Sequence, residues 1–194
     1  MSATVLTSDT SSMKSKHRRP SSLPILLFIA GGLLLVIAIA LLLTSRPATT
    51  QAIQPLQLGK PLQDFSLDDL NGRAVKLSDY AGQVVLINAW ATWCPPCVAE
   101  MPDMQAYYQE HRHESFTILG INAGDTLSAA SAFASQNGIT FPIVLDPNVE
   151  FLSDLGVHSF PTSILVDADG VVQSIHVGMY TAEDLDAEIT PYLR

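Results

Sequence analysis

The chain has 194 residues and is acidic, with 10 Lys and Arg against 19 Asp and Glu. Residues 1–22 carry four basic residues against Asp9, a net +3, whereas residues 45–194 carry six basic and eighteen acidic residues, a net −12. So acidic a domain repels nucleic acid and anionic head groups, and no basic patch interleaved with aromatics offsets it, so nucleic acid is not an expected partner.

In chain order, residues 1–22 are rich in Ser, Thr and Lys and nearly free of apolar side chains, which predicts a disordered tail. Residues 23–43 (LPILLFIAGGLLLVIAIALLL) hold no charge over 21 positions. That is the length of a transmembrane helix, and it exceeds the roughly 7–15 apolar residues of a cleaved signal peptide. Four Lys and Arg precede the segment and only Arg46 follows it closely. The positive side stays cytoplasmic, so the expectation is a single-pass anchor in the cell membrane, with the N-terminus inside and the remainder outside. Disulfides persist there. Residues 44–55 have the Pro and Thr content of a linker, and 56–194 form the predicted globular domain, large enough to bury a core without disulfide staples.

Within that domain, Asp64–Leu67 and Ala74–Leu77 alternate around Asn71-Gly72 and predict a hairpin. Val84–Trp90 is a continuous apolar run, as for a strand buried on both faces. A helix is expected from the cysteines to about His111, then a buried strand over Phe116–Asn122 and an alanine-rich helix over Leu127–Gln136. Pro142–Leu145 reads as a short strand and Val149–Leu155 as a short helix. Thr162–Val166 and Val171–Ile175 flank Asp167-Ala168-Asp169-Gly170 as a second hairpin. A closing helix runs over Ala182–Leu193, with Thr181 as N-cap. This order predicts an α/β domain: a mixed central sheet with helices on both faces.

The chemistry concentrates in Trp93-Cys94-Pro95-Pro96-Cys97, which holds both cysteines of the chain. The preceding strand delivers Cys94 to the N-terminal end of a helix. Pro95 and Pro96 fit the first helical positions, where a missing N–H costs little. The positive end of the helix stabilises a thiolate at Cys94, and Cys97, one turn on, can attack a mixed disulfide formed there. Cys94 is thus the expected nucleophile and Cys97 the resolving thiol. A zinc site would need two more ligands. His111 and His113, two residues apart, face different sides of a helix. A copper site using His158 or His176 has equally little support, and no metal or other cofactor is expected. A purely structural disulfide remains open, although so short a cross-linked loop removes little chain entropy.

The run Asn88-Ala89-Trp90-Ala91-Thr92-Trp93-Cys94-Pro95-Pro96-Cys97, followed by Glu100-Met101-Pro102, resembles the TlpA/ResA family of membrane-anchored, thioredoxin-like thiol–disulfide oxidoreductases in the redoxin superfamily. Gly59-Lys60-Pro61, Asp64-Phe65 and Gly156–Thr162 extend the likeness over residues 58–190. The resemblance implies a thioredoxin-like fold with an added N-terminal hairpin and a reducing role outside the cytoplasm, commonly on apocytochrome c during cytochrome c maturation. A membrane thiol reductase would supply the electrons. It also implies that Pro161 is a cis-proline facing the CxxC, beside backbone that pairs with client peptide, and that Glu100 sits beneath Cys97 as its proton partner. Thioredoxins carry a buried Asp where this chain has Asn88, which cannot titrate, so Glu100 is left as the candidate acid. Pro102 should kink the active-site helix. Trp93 and Phe160 are expected at the client-binding surface.

Two prolines between the cysteines donate no hydrogen bond to sulfur, which favours a reducing couple. Two other functions compete. A thiol peroxidase would carry a Thr three residues before its reactive cysteine, but Ala91 stands there and Thr92 is one place off. A non-catalytic membrane-tethered binding module would need neither thiol.

Overall fold

The computed structural model describes Gly32, Leu35 and residues 53–193 of the chain. The expected tail, all of the expected anchor but Gly32 and Leu35, and most of the linker lie outside the described residues, among which no helix is long and apolar enough to cross a membrane.

The domain opens with an antiparallel hairpin of β1 (Ser66–Asp68) and β2 (Ala74–Lys76). Asp69 makes its turn. Its Oδ1 accepts from the N–H groups of Asn71 and Arg73 at 2.7 and 2.9 Å, and its Oδ2 accepts from the Arg73 guanidinium at 2.8 Å. The bonds from Arg73, its N–H foremost, hold the Asp69 carboxyl at about 2, below its ordinary 3.8. Gly72 takes a φ of 73°, a conformation that costs little only without a Cβ.

The central sheet contains β3 (Val84–Trp90), β4 (Phe116–Ala123), β5 (Ile143–Asp146), β6 (Thr162–Val166) and β7 (Val172–Val177), in the order β5-β4-β3-β6-β7. β3, β4 and β5 are parallel, and β6 and β7 join antiparallel. Every residue of β3 and β4 is buried, which is why both read as mainly apolar runs, broken only by the buried Asn88, Thr117 and Asn122. Gly120 in β4 makes room for Trp90, since a Cβ there would lie 3.1 Å from Nε1 of the indole.

Four α-helices cover the sheet: α1 (Pro95–His111), α2 (Leu127–Gln136), α3 (Glu150–Asp154) and α4 (Ala182–Ile189). On one face, Met101 and Met104 of α1, Ala134 of α2 and Leu185 of α4 pack on Leu86, Trp90 and Ile118. On the other, Phe151 and Leu152 of α3 join Phe65 and Leu77 against Ile87, Leu119 and Ile121. Each large side chain so buried contributes about 1.5–3 kcal/mol. The expected thioredoxin-like arrangement, a mixed sheet covered on both faces with an N-terminal hairpin, is what the chain adopts.

Most elements end one or two residues from expectation, among them β1 at Ser66–Asp68, β4 at Ala123 and β7 at Val172–Val177. The closing helix stops at Ile189, not Leu193, and continues as a 3-10 turn over Thr190–Tyr192, because Pro191 has no N–H to extend the ladder. β5 reaches Asp146, whose carboxylate accepts from the N–H groups of Glu150 and Leu152 at 3.1 and 2.9 Å and so starts α3. Val149 is the N-cap of α3, at a left-handed φ of 58°.

Candidate active site

β3 ends at Trp90, and a four-residue turn carries the chain to Pro95, the first residue of α1. The Cys94 N–H donates to the Ala91 carbonyl at 3.2 Å, and the Cys94 carbonyl accepts the first bond of α1, from Val98, at 3.1 Å. Cys94 is the N-cap, and its Sγ accepts from the Cys97 N–H at 3.3 Å. Cys94 and Cys97 are joined in a disulfide, so the structure holds the oxidised state. Cys94 is 4% exposed and Cys97 not at all, so an incoming sulfur can meet only Cys94.

The turn is fixed from the side by Asp125, in the β4–α2 connection. Its Oδ2 accepts from the Thr92 N–H and its Oδ1 from the Thr92 hydroxyl, both at 2.8 Å. Asn122 Nδ2 adds a third bond at 2.8 Å. Thr92 Oγ1 is therefore committed away from the sulfurs.

Behind the disulfide, Glu100 is completely buried, one helical turn after Cys97. Its Oε1 accepts from Asn88 Nδ2 at 2.8 Å and its Oε2 from the Tyr180 backbone N–H at 2.9 Å. Asn88 Nδ2 also donates to Ser163 Oγ at 3.0 Å, which ties β3, β6 and α1 together at this point. Burial pushes the Glu100 carboxyl above its ordinary 4.5, against the Tyr180 and Asn88 hydrogen bonds and the nearby His176, which favour the charge. A carboxyl raised in this way is suited to take up and return a proton.

The Phe160–Pro161 peptide bond is cis, as the resemblance implied. Trp93, 60% exposed, meets the half-buried Phe160 edge to face with ring centroids 5.8 Å apart, which brings the Phe160–Pro161 segment against the CxxC turn. The Pro161 carbonyl accepts from the Gly178 N–H at 2.9 Å. α1 runs through Pro102 without interruption. Trp93, Cys94, Cys97, Phe160 and Pro161 thus meet at one end of the sheet, with Glu100 beneath. Sequence reasoning missed Ser163, Tyr180 and Asp125. For Asp125 a signal existed, a carboxylate in a Gly-Asp-Thr turn just beyond a buried strand.

A family model described as Redoxin matches residues 57–189. The chain belongs to the redoxin family. Among its redoxin relatives, it is 41% identical over 128 residues to the thiol-disulfide oxidoreductase ResA of Geobacillus thermodenitrificans (strain NG80-2), covering 66% of this chain and 74% of that one. It is 34% identical over 169 residues to ResA of Bacillus subtilis (strain 168), covering 87% and 90%. A solved structure of a secreted thiol-disulfide isomerase from Corynebacterium glutamicum superposes with a TM-score of 0.64 at 28% identity, over 76% of this chain and 95% of that one. This redoxin is ResA-like, a thioredoxin-family thiol–disulfide oxidoreductase with Cys94 and Cys97 as its CxxC pair.

Proposed function

We propose that the protein is a membrane-tethered reductase of disulfides in client proteins, working on the extracytoplasmic side. The observation that carries the chemistry is the pairing of a barely exposed Cys94 at the N-terminus of α1 with a buried Cys97 and Glu100 behind it. In the reduced enzyme, the Cys94 thiolate attacks one sulfur of a client disulfide. A Cys94–client disulfide forms, and the displaced client thiolate takes a proton. Cys97 then passes its proton to the Glu100 carboxylate, and its thiolate attacks Cys94 Sγ. The second client thiolate leaves, and the Cys94–Cys97 disulfide forms. Two electrons have moved to the client, and a membrane thiol reductase would return them.

The reductase direction is supported by Pro95 and Pro96, which offer sulfur no hydrogen bond. Tethering is supported by the uncharged segment 23–43 and the basic residues before it. The surplus of acid favours a client that is not itself strongly acidic, such as apocytochrome c in cytochrome c maturation. The test is a Cys97→Ala variant of the full-length protein expressed in a bacterial membrane. It should accumulate mixed disulfides with extracytoplasmic proteins through Cys94, and Cys94→Ser should accumulate none. A midpoint potential of the wild-type pair at the strongly oxidising end of the scale would overturn the reductase direction.

A further inference from the structure

Tyr180, whose N–H holds Glu100, is itself clamped. The side chain is 1% exposed, and its phenol donates to Glu188 Oε2 at 2.6 Å. The same oxygen accepts from Ser174 Oγ at 3.1 Å. The His176 ring stacks on the phenol ring, with centroids 4.0 Å apart and planes 19° from parallel, and its Nδ1 lies 3.3 Å from Glu188 Oε1. Three elements therefore meet at one cluster: β7 through Ser174 and His176, the following loop through Tyr180, and α4 through Glu188. A buried tyrosine needs a partner for its hydroxyl in any protein. What sets this one apart is that its backbone N–H supplies one of the two hydrogen bonds to the buried acid of the site.

We propose that Tyr180 is a positioning residue for Glu100, its N–H held on Oε2 by the clamp that Glu188 and His176 place on its ring. This rests on Glu100 being the proton acceptor for Cys97, as proposed above. The N–H favours the carboxylate over the acid. When the clamp loosens, Glu100 keeps its proton to higher pH, and Cys97 lacks an acceptor until that pH is reached. The other charged or titratable groups around Glu100 are His176 from β7, Glu188 one contact beyond, and the cysteine pair on its own helix. The intervening polar contacts are Asn88 from β3 and, through it, Ser163 from β6.

The experiment follows the rate of reduction of a disulfide-bonded peptide against pH, using full-length protein in detergent, together with Tm. Tyr180→Phe keeps the stacked ring and Glu188→Ala removes the acceptor; each should move the rising limb up by about one pH unit. Glu188→Gln keeps an oxygen for the phenol and should restore most of the wild-type profile. In a Glu100→Gln background, neither Tyr180→Phe nor Glu188→Ala should add a shift. If both lower Tm while the limb stays, or shift it equally without Glu100, the clamp is structural only and the proposal is overturned. If Glu100→Gln itself leaves the profile of the wild type, the role of Glu100 fails and this proposal fails with it. A Glu100→Gln effect without a Tyr180→Phe effect overturns the positioning role alone.

Discussion

Nδ2 of Asn88 donates to Oε1 of Glu100 across 2.8 Å, so the strand beneath the disulfide is bonded directly to the acid on the helix above it. Asn88→Asp would place two carboxyls at that separation. They would share a proton and titrate as a pair, with one member held far above the ordinary range. The variant should match the wild type in stability near pH 5 and fall behind by about 1–3 kcal/mol by pH 8, as the shared proton is lost. Urea denaturation at the two pH values measures this. Equal losses at both would mean that Asn88 matters for packing and not for the charge on Glu100.

Glu100 also sets a slope in stability against pH. Its folded pKa is raised above 4.5, chiefly by burial. The folded state therefore binds the proton more tightly than the unfolded chain, and unfolding releases protons between 4.5 and the folded value. Stability is unaffected below that window, falls as pH rises through it, and stays reduced above it. Glu100→Gln removes the titration. The amide can accept from only one of Asn88 and Tyr180, which adds a loss that does not vary with pH. Denaturation curves across the window should show a flatter profile for the variant, and an unchanged slope would place the titration on another group.

Asp125 accepts from both the N–H and the hydroxyl of Thr92, two residues before the nucleophile. Asp125→Ala strips three donors of their shared acceptor and should cost about 1–3 kcal/mol. The turn that carries Trp93 and Cys94 would open more often, so exchange of the Thr92 amide hydrogen should accelerate by about tenfold for each 1.4 kcal/mol lost, at least about fivefold in all. Disulfide turnover should slow. Unaltered exchange at Thr92 would show that the turn is held by other contacts.

The parts of the site that were legible in the sequence are those set by local periodicity. β3 and the start of α1 stand out because seven buried residues are followed, after a four-residue turn, by two prolines. The burial of Glu100 follows from its spacing of three from Cys97 on a helix that faces the core. The contacts that fix the charge of Glu100 do not show in this way. Asn88 reaches Ser163 across 75 residues, and Tyr180 reaches Glu100 across 80, through a sheet order that local patterns do not encode. The sequence marks Asn88 only as a residue that cannot titrate; in the fold it is the donor that links β6 to the acid. Gly120 is similarly silent until Trp90 is seen packed against its missing Cβ.

Trp93 separates docking from chemistry. Its ring is 60% exposed and its aromatic contact is the edge-to-face pair with Phe160. Such a pair is worth about 0.5–1.5 kcal/mol, so Trp93→Ala should change folding stability by about 1.5 kcal/mol or less. Trp93 precedes Cys94 directly, so on the proposed function a client chain would dock against its ring. Its loss removes apolar contact area from the docked state, and KM for a disulfide-bonded protein should rise by up to about tenfold with kcat little changed. A small-molecule disulfide, too small to use that surface, should be reduced at the wild-type rate. Parallel assays with the two substrates decide the matter. If both rates fall together, the indole acts on the sulfurs themselves, by shielding them or by fixing the turn, and its role at the client surface is lost.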